Sequence, residues 1–417
     1  MRHALEQGLG FLIVFFSATE LGRHFWPDSA LIYGIRVDYL SPTLYMLDLL
    51  MIIYLFIKLK LEHSLKIENW NLEIIVPLLL VNLLFSANPL ATLSWSLHLL
   101  LYAVFILSLS SNFLSTIPYI LVASALFQVA LGAIQVALGH SLQGILYWFG
   151  ERAIAVGAPT VATASFFGHT MLRAYGTFSH PNVLAGWLVI ASLITVRLVG
   201  LQRPRSANTA GVRRSDLAAF MATRLDLVGT LAIILAALGV FLTESRTAAF
   251  ALFGIVIPCC LLRSLRVRIL YFFVLLVSLL PLLSSGTLTR SLDLSVFDRL
   301  RLQNTSFSII RSYPIFGSGA SASISTYPAV TPTLRLLQPD HDAFTLFLSW
   351  FGFAGIVSVA QLLKIGNWKS EIVQALPLLP LLLLDHYFLT SPQGLFVLLL
   401  YFRIVWKTDK PANRLAD

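Results

Sequence analysis

Apolar runs of roughly 17–25 residues, the length an α-helix needs to cross a bilayer, recur along this chain from end to end. Within hydrocarbon every backbone N–H and C=O must be paired inside the structure, so only helices and closed barrels span it. A barrel would show short segments of alternating polarity, and the runs here are continuous. Charge agrees: only 12% of the 417 residues are charged and 57% are hydrophobic, whereas about a quarter of a soluble domain is charged. The expected fold is therefore an all-α polytopic membrane protein, a single integral membrane domain over residues 1–417.

The runs divide into about twelve spans, near 6–22, 43–59, 72–87, 90–110, 115–138, 181–200, 226–243, 247–262, 269–284, 342–362, 372–389 and 392–406. The first run, Gly8 to Leu21, lacks a small-residue cleavage site and reads as a retained span. With the N-terminus placed in the cytoplasm, every lysine (Lys58, Lys60, Lys66, Lys364, Lys369, Lys407, Lys410) falls on the cytoplasmic side. The arginine clusters at 203–214 and 263–268, and Arg224, join them. This satisfies the positive-inside rule, and the opposite orientation violates it at nearly every loop. The net charge of +9 is thus explained by topology and anionic lipid, with no need for nucleic acid. Cys259 and Cys260 are adjacent within an apolar run and offer neither a disulfide framework nor a metal spacing.

Two loops of substance then fall outside, at 139–180 and 285–341. The second, between spans 9 and 10, is too long for a connector and is expected to be functional and partly helical, with an apolar helical pattern over Ser295–Ser312. The outer face carries arginines (Arg23, Arg36, Arg152, Arg173, Arg246, Arg290, Arg299, Arg301, Arg311, Arg335) and no lysine. Topology alone disfavours both residue types there. Arginine without lysine points to a need for the planar, permanently charged fork that matches phosphate oxygens two at a time.

Four places stand out. Arg173 leads a polar, turn-forming stretch to Asn182, set against the apolar run that begins at Val183; a charge at the edge of a span is costly unless an anion meets it. Arg246 lies in the short turn Thr243-Glu244-Ser245-Arg246-Thr247, where the next helix adds free amides and positive dipole; a contact with Glu244 or lipid is the alternative. His341, between Asp340 and Asp342, closes the large loop and has the chemistry to accept a proton from a hydroxyl. A cap or interface role is equally open, and adjacent residues rarely make a complete metal ligand set. Asp385 and His386 lie in the expected outer third of the eleventh span, where ionisable groups face the bundle interior, as function or as a buried packing pair. Asp48 in the second span is a weaker case.

These pieces together resemble the O-antigen ligase and polymerase superfamily. The matching patterns are Arg173-x-x-Gly176-Thr177-Phe178-x-x-Pro181-Asn182 before a span and Thr243-x-Ser245-Arg246-Thr247-Ala248 opening another. With them go the amphipathic stretch from Arg299 to Tyr313-Pro314-Ile315-Phe316-Gly317-Ser318-Gly319, a His341 before a span, and Gly352-x-x-Gly355 within it. The likeness covers roughly 170–360 in detail. It implies a C-type glycosyltransferase-like helical architecture in a bacterial plasma (inner) membrane, with the active site facing outward. The donor would be an undecaprenyl-diphosphate-linked glycan and the acceptor a saccharide or glycolipid, beside membrane lipid, with no cofactor and no metal. Arg173 and Arg246 would grip the diphosphate and His341 would activate the acceptor hydroxyl, with Asn182, Arg311, Asp385 and His386 contributing to substrate binding. Where the family usually has His-Asn, this chain has His341-Asp342, a departure that bears on acceptor contacts. The chemistry is consistent: a diphosphate leaving group needs fixed cations for its developing charge, and one direct displacement predicts inversion at the anomeric carbon. Ligase and polymerase remain undivided, and a flippase for lipid-linked glycans is the rival reading.

Overall fold

Apolar sequence forms helix wherever the chain is continuous, because a helix pairs its own backbone. The computed structural model describes residues 2–62, 72–166, 169–202, 216–261, 272, 276, 288–332, 336–365 and 376–408. The expected ninth span (apart from 272 and 276), the clusters at 203–214 and 263–268, and Lys66, Arg335, Lys369 and Lys410 lie outside the described residues. The longer helices are α1 (Arg2–Phe16), α2 (Met46–Glu62), α3 (Leu72–Leu84), α4 (Pro89–Ser108), α5 (Ile117–Leu138), α6 (Pro181–Leu201), α7 (Asp216–Thr243), α8 (Arg246–Leu261), α9 (Leu288–Ser312) and α10 (Ala343–Ile365). The short α11 (Leu379–Leu384) and α12 (Tyr387–Thr390) precede α13 (Pro392–Thr408). Among the described residues, α4, α5, α6 and Ala343–Leu362 of α10 are long and apolar enough to cross a membrane. Shorter apolar helices, of 10–17 residues, lie within some of the other expected segments.

The chain divides into two compact units. The first comprises Met1–Glu20 and Leu109–Gly286 and holds α1 and α5 to α8. Its centre is α6, apolar on every side and buried on most of them, with Trp187, Val189, Ile190 and Ile194 fully enclosed. Helix α7 approaches closely because Gly239 lacks a side chain; a Cβ there would run into Leu188 of α6. A two-stranded antiparallel ribbon, β5 (Thr163–Phe166) with β6 (His169–Leu172), precedes α6.

The second unit comprises Leu21–Ser108 and Thr287–Asp417. Two small ribbons begin it: β1 (Gly22–His24) pairs with β4 (Thr43–Tyr45), and β2 (Leu31–Ile32) pairs with β3 (Ile35–Arg36). Tyr33 and Gly34 take φ of 53° and 77°, the paired left-handed residues of a two-residue hairpin turn. These ribbons were not signalled by the apolar runs; the expected second span begins as strand and turns helical only at Met46. Leu302 and Ile309 of α9 pack with Ala30, Leu40, Ile324 and Tyr327 in a buried cluster.

Helix α10 is broken at Gly352, whose φ of 57° and ψ of −152° suit glycine alone. The break frees backbone groups, and the Pro314–Gly319 loop takes them up. Ser318 N donates to Ser349 O at 2.8 Å and Gly319 N to Trp350 O at 3.1 Å. Phe353 N and Ala354 N in turn reach Pro314 O and Ile315 O at 2.8 and 2.9 Å. Asn82 of α3 pins the junction, donating to Phe316 O and Trp350 O and accepting from Ala320 N.

One expectation is corrected. The segment near 372–389 is not a single continuous helix: a 3-10 turn at Leu376–Leu378 leads into α11, and the chain opens at Asp385 before α12. Pro377 and Pro380 lack the N–H that a helix interior needs, and Asp385 is extended at φ −151° and ψ 141°. Asp385 and His386 therefore sit at a helix break, not in the outer third of an unbroken span.

Candidate functional site

Arg173 is held by backbone and side chain at once. Its N–H pairs with Ala162 O at 3.3 Å as the chain leaves β6. The Nε donates to Thr243 O at 2.6 Å and Nη2 donates to Asn182 Oδ1 at 2.7 Å. Ala174 N meets Leu242 O at 3.0 Å. The last carbonyls of a helix have no partner of their own, so residues 173 and 174 cap α7 from outside its own chain segment. A cation at a helix C-terminus also gains from the dipole, typically 0.3–1 kcal/mol at an exposed site.

The segment after Arg173 is locked by one face of α5. Gln135 Oε1 accepts from Tyr175 N and Gly176 N, while its Nε2 donates to Gly176 O and Glu151 Oε1. Gln128 Oε1 accepts from Thr177 N and its Nε2 donates to Thr177 Oγ1, which itself donates to Ala18 O. Gly132 lies between the two glutamines, and a Cβ there would be 2.9 Å from Ala174. Gly176, at φ 59°, leaves room for the Gln128 amide. Each such bond contributes about 1 kcal/mol net, and losing one partner in this buried setting costs about 1–3 kcal/mol. Gln128, Gln135 and Glu151 are thus site-building residues that sequence reasoning missed. The signal was present: polar residues at a spacing of seven, with a glycine midway, mark one face of an apolar helix.

Arg246 begins α8, capped by Ser245, whose carbonyl accepts from Ala249 N at 3.0 Å. Burial raises the Glu244 carboxyl above its ordinary range, while the positive charges of Arg173 and Arg246 pull it back down. Both guanidiniums therefore act on one carboxylate. Asn182 lies in the first turn of α6, capped by His180, whose Nδ1 accepts from Asn182 N at 3.1 Å. Arg173 and Asn182 meet beside the end of α7, and Arg246 begins α8 three residues beyond Thr243. A held cation and a helix N-terminus each favour negative charge nearby.

The second unit assembles a different cluster. His341 Nδ1 lies 3.5 Å from Asp385 Oδ1, the side chains being 21% and 6% exposed. The His341 and His386 rings are 5.1 Å apart, and Tyr39 meets His386 edge-on at 5.6 Å. His386 Nδ1 is anchored 2.7 Å from Thr390 Oγ1. The turn carrying His341 is fixed on both sides. Asp342 caps α10, its Oδ1 accepting from Phe344 N at 2.9 Å, and the buried Asp340 accepts from Thr345 Oγ1 at 2.5 Å. Burial raises the Asp340 carboxyl, partly offset by hydrogen bonds from Thr345, Asp342 and Ser306.

The remaining expected residues stand apart. Arg311 is exposed in the last turn of α9, and among the described residues no hydrogen bond, ion pair or ring contact joins it to the His341 cluster. Asp48 accepts from Tyr45 N at 2.8 Å and lies 3.1 Å from His98 Nε2, a buried pair between α2 and α4. Arg152 pairs with Glu20 at 3.6 Å, and Arg301 lies over the Phe297 ring. Among the described residues, no group of three or more His, Cys, Asp or Glu is placed to hold a metal ion.

Apolar helices of membrane-crossing length, a helix broken at a glycine loop and polar clusters at helix ends define a helical membrane protein with chemistry-bearing side chains. Residues 231–362, less than half of the chain, match the family model described as O-antigen ligase, so this stretch is similar to that family. The matched region runs from within α7 through most of α10 and contains Arg246, Arg311 and His341. Arg173, Asn182, Asp385 and His386 lie outside it. No curated protein and no solved structure matches the chain.

Proposed function

We propose that this protein is a membrane glycosyltransferase of the O-antigen ligase or polymerase type. It transfers a glycan from undecaprenyl diphosphate to a saccharide or glycolipid acceptor on the outer face of a bacterial plasma membrane. The observation that carries the reading is the Arg173 guanidinium held on Thr243 O and Asn182 Oδ1 where α7 ends, with Arg246 three residues beyond Thr243 at the start of α8. A held guanidinium with a second arginine at a neighbouring helix start suits the oxygens of a diphosphate, whose charge grows as the glycosidic bond breaks. The first unit is assigned the donor.

The second unit is assigned the acceptor. His341, backed by Asp385, takes the proton of the acceptor hydroxyl as that oxygen attacks the anomeric carbon; the anomeric C–O bond to phosphate breaks and the carrier departs as diphosphate. One displacement gives inversion. Asp385 orients the ring and stabilises the imidazolium, and Asp342 fixes the turn by capping α10. The flippase reading has no use for a base, so the test is His341→Ala in purified protein with a lipid-linked oligosaccharide and acceptor. Retained donor binding with loss of transfer supports the enzyme; unchanged function overturns it.

A further inference from the structure

Glu244 stands at an odd place. It is the first residue after α7, in a turn closed by its own N–H on Phe241 O at 3.1 Å, and its φ is +48°. Residues with a Cβ seldom occupy that region; glycine or asparagine would fit at less cost. The turn makes no use of the side chain: among the described residues no hydrogen bond involves the Glu244 carboxylate. Yet the half-buried carboxylate lies in the field of Arg173, whose Nε is fixed on the preceding carbonyl, and of Arg246, two residues on. A strained residue kept where its backbone gains nothing points to its side chain.

We propose that the Glu244 carboxylate is the resident counter-ion of the arginine pair, occupying their field when no diphosphate is bound and giving it up when a diphosphate ester arrives. The inference rests on the assignment of Arg173 and Arg246 to the donor. Two cations left partly buried without an anion carry a desolvation cost, which a built-in carboxylate relieves. The same carboxylate competes with the donor and helps expel the spent carrier, whose terminal phosphate would otherwise stay bound.

The exchange has a proton attached to it. The charged groups acting on Glu244 are Arg173 and Arg246; α6 adds the neutral Asn182, and His180 with its Nδ1 accepting a hydrogen bond. Burial already outweighs both arginines and raises the carboxyl. A bound diphosphate adds negative charge and raises it further, so binding takes up a proton. Affinity therefore falls as pH rises above the carboxyl's value in the empty site.

The test uses the full-length protein in detergent and a farnesyl diphosphate N-acetylglucosamine ester, a diphosphate diester that does not itself titrate near neutrality. Wild-type affinity should weaken with rising pH. Glu244→Gln should bind about tenfold tighter in the alkaline range with a flat pH profile, about 1.4 kcal/mol, and should release the carrier more slowly. Glu244→Gly, which also relieves the positive φ, should bind as tightly as the glutamine variant, excluding a folding defect as the cause. Unchanged or weaker binding by both variants, with the pH slope intact, overturns the proposal. If Arg173→Lys and Arg246→Lys bind the probe as well as wild type, the donor assignment itself fails; if they weaken it while the Glu244 variants do nothing, only this inference does.

Discussion

If Arg246 grips the diphosphate as proposed, it must supply shape as well as charge. Lysine would preserve the positive charge at the start of α8 but lose the fork, so Arg246→Lys should lower transfer by about 10²-fold, the scale of losing one stabilising donor. Arg173 has a second duty as the cap of α7, so Arg173→Lys should cost both activity and thermal stability, whereas Arg246→Lys should leave the melting midpoint in place. Asp340 offers a pH readout. Its carboxyl is raised by burial above its ordinary 3.8, so the folded state keeps a proton that the unfolded state has released. Stability is then highest below 3.8, falls as pH rises through the window up to the folded value, and is level above it. Asp340→Asn should remove that slope from the melting midpoint measured across acid pH; a slope unchanged by the substitution would count against Asp340 as its source.

At the scale of elements, the break in α10 is the most exacting feature. Gly352 has a conformation that only glycine adopts readily, and a Cβ there would come 2.6 Å from Gly317 N and 2.7 Å from Ile315 C. Gly352→Ala should cost at least about 1–3 kcal/mol in backbone strain alone, read as a lowered midpoint in a detergent thermal melt. Gly355→Ala should be milder, because Gly355 keeps a helical backbone, although a Cβ there would come 2.6 Å from Phe351 Cβ and 2.9 Å from the Phe347 ring. The glycines of 317, 319 and 352 were visible in the sequence as a family pattern, but their reason was not. It lies in hydrogen bonds between segments about thirty residues apart, which no local rule reveals. The helices were legible because continuous apolar sequence has one good solution in lipid. The Asp385 break was over-read as part of a continuous span, since Leu-Pro-Leu-Leu-Pro is as hydrophobic as the helices around it even though its prolines forbid a regular interior. The ribbons over 22–45 fall mostly between the apolar runs and left no comparable mark.

At the scale of the whole molecule, the two clusters belong to different compact units. Arg173, Asn182 and Arg246 were each singled out from the sequence as a charge or amide at the edge of an apolar run. What holds the segment after Arg173, Gln128 and Gln135 inside α5, is not legible in the sequence, because an amide in a span reads as a packing residue until its partners are known. The separate duties proposed for the clusters make a kinetic prediction. If the first unit serves the donor and the second the acceptor proton, Gln135→Ala should loosen the segment carrying Arg173 and raise the donor KM several-fold, with the acceptor KM unmoved. Gln135→Glu cannot donate to Gly176 O or Glu151 and should not rescue it. His341→Ala should do the reverse, lowering kcat by about 10²–10⁴-fold at an unchanged donor affinity, and Asp385→Asn should lower it less, since it removes only the charge that steadies the ring. Because the residues act on different substrates, the Gln135→Ala and His341→Ala losses in kcat/KM should add as free energies within about 0.5 kcal/mol. A double variant much better than that sum would mean that the two changes are coupled, and the separate assignment of donor and acceptor to the two clusters would have to be abandoned.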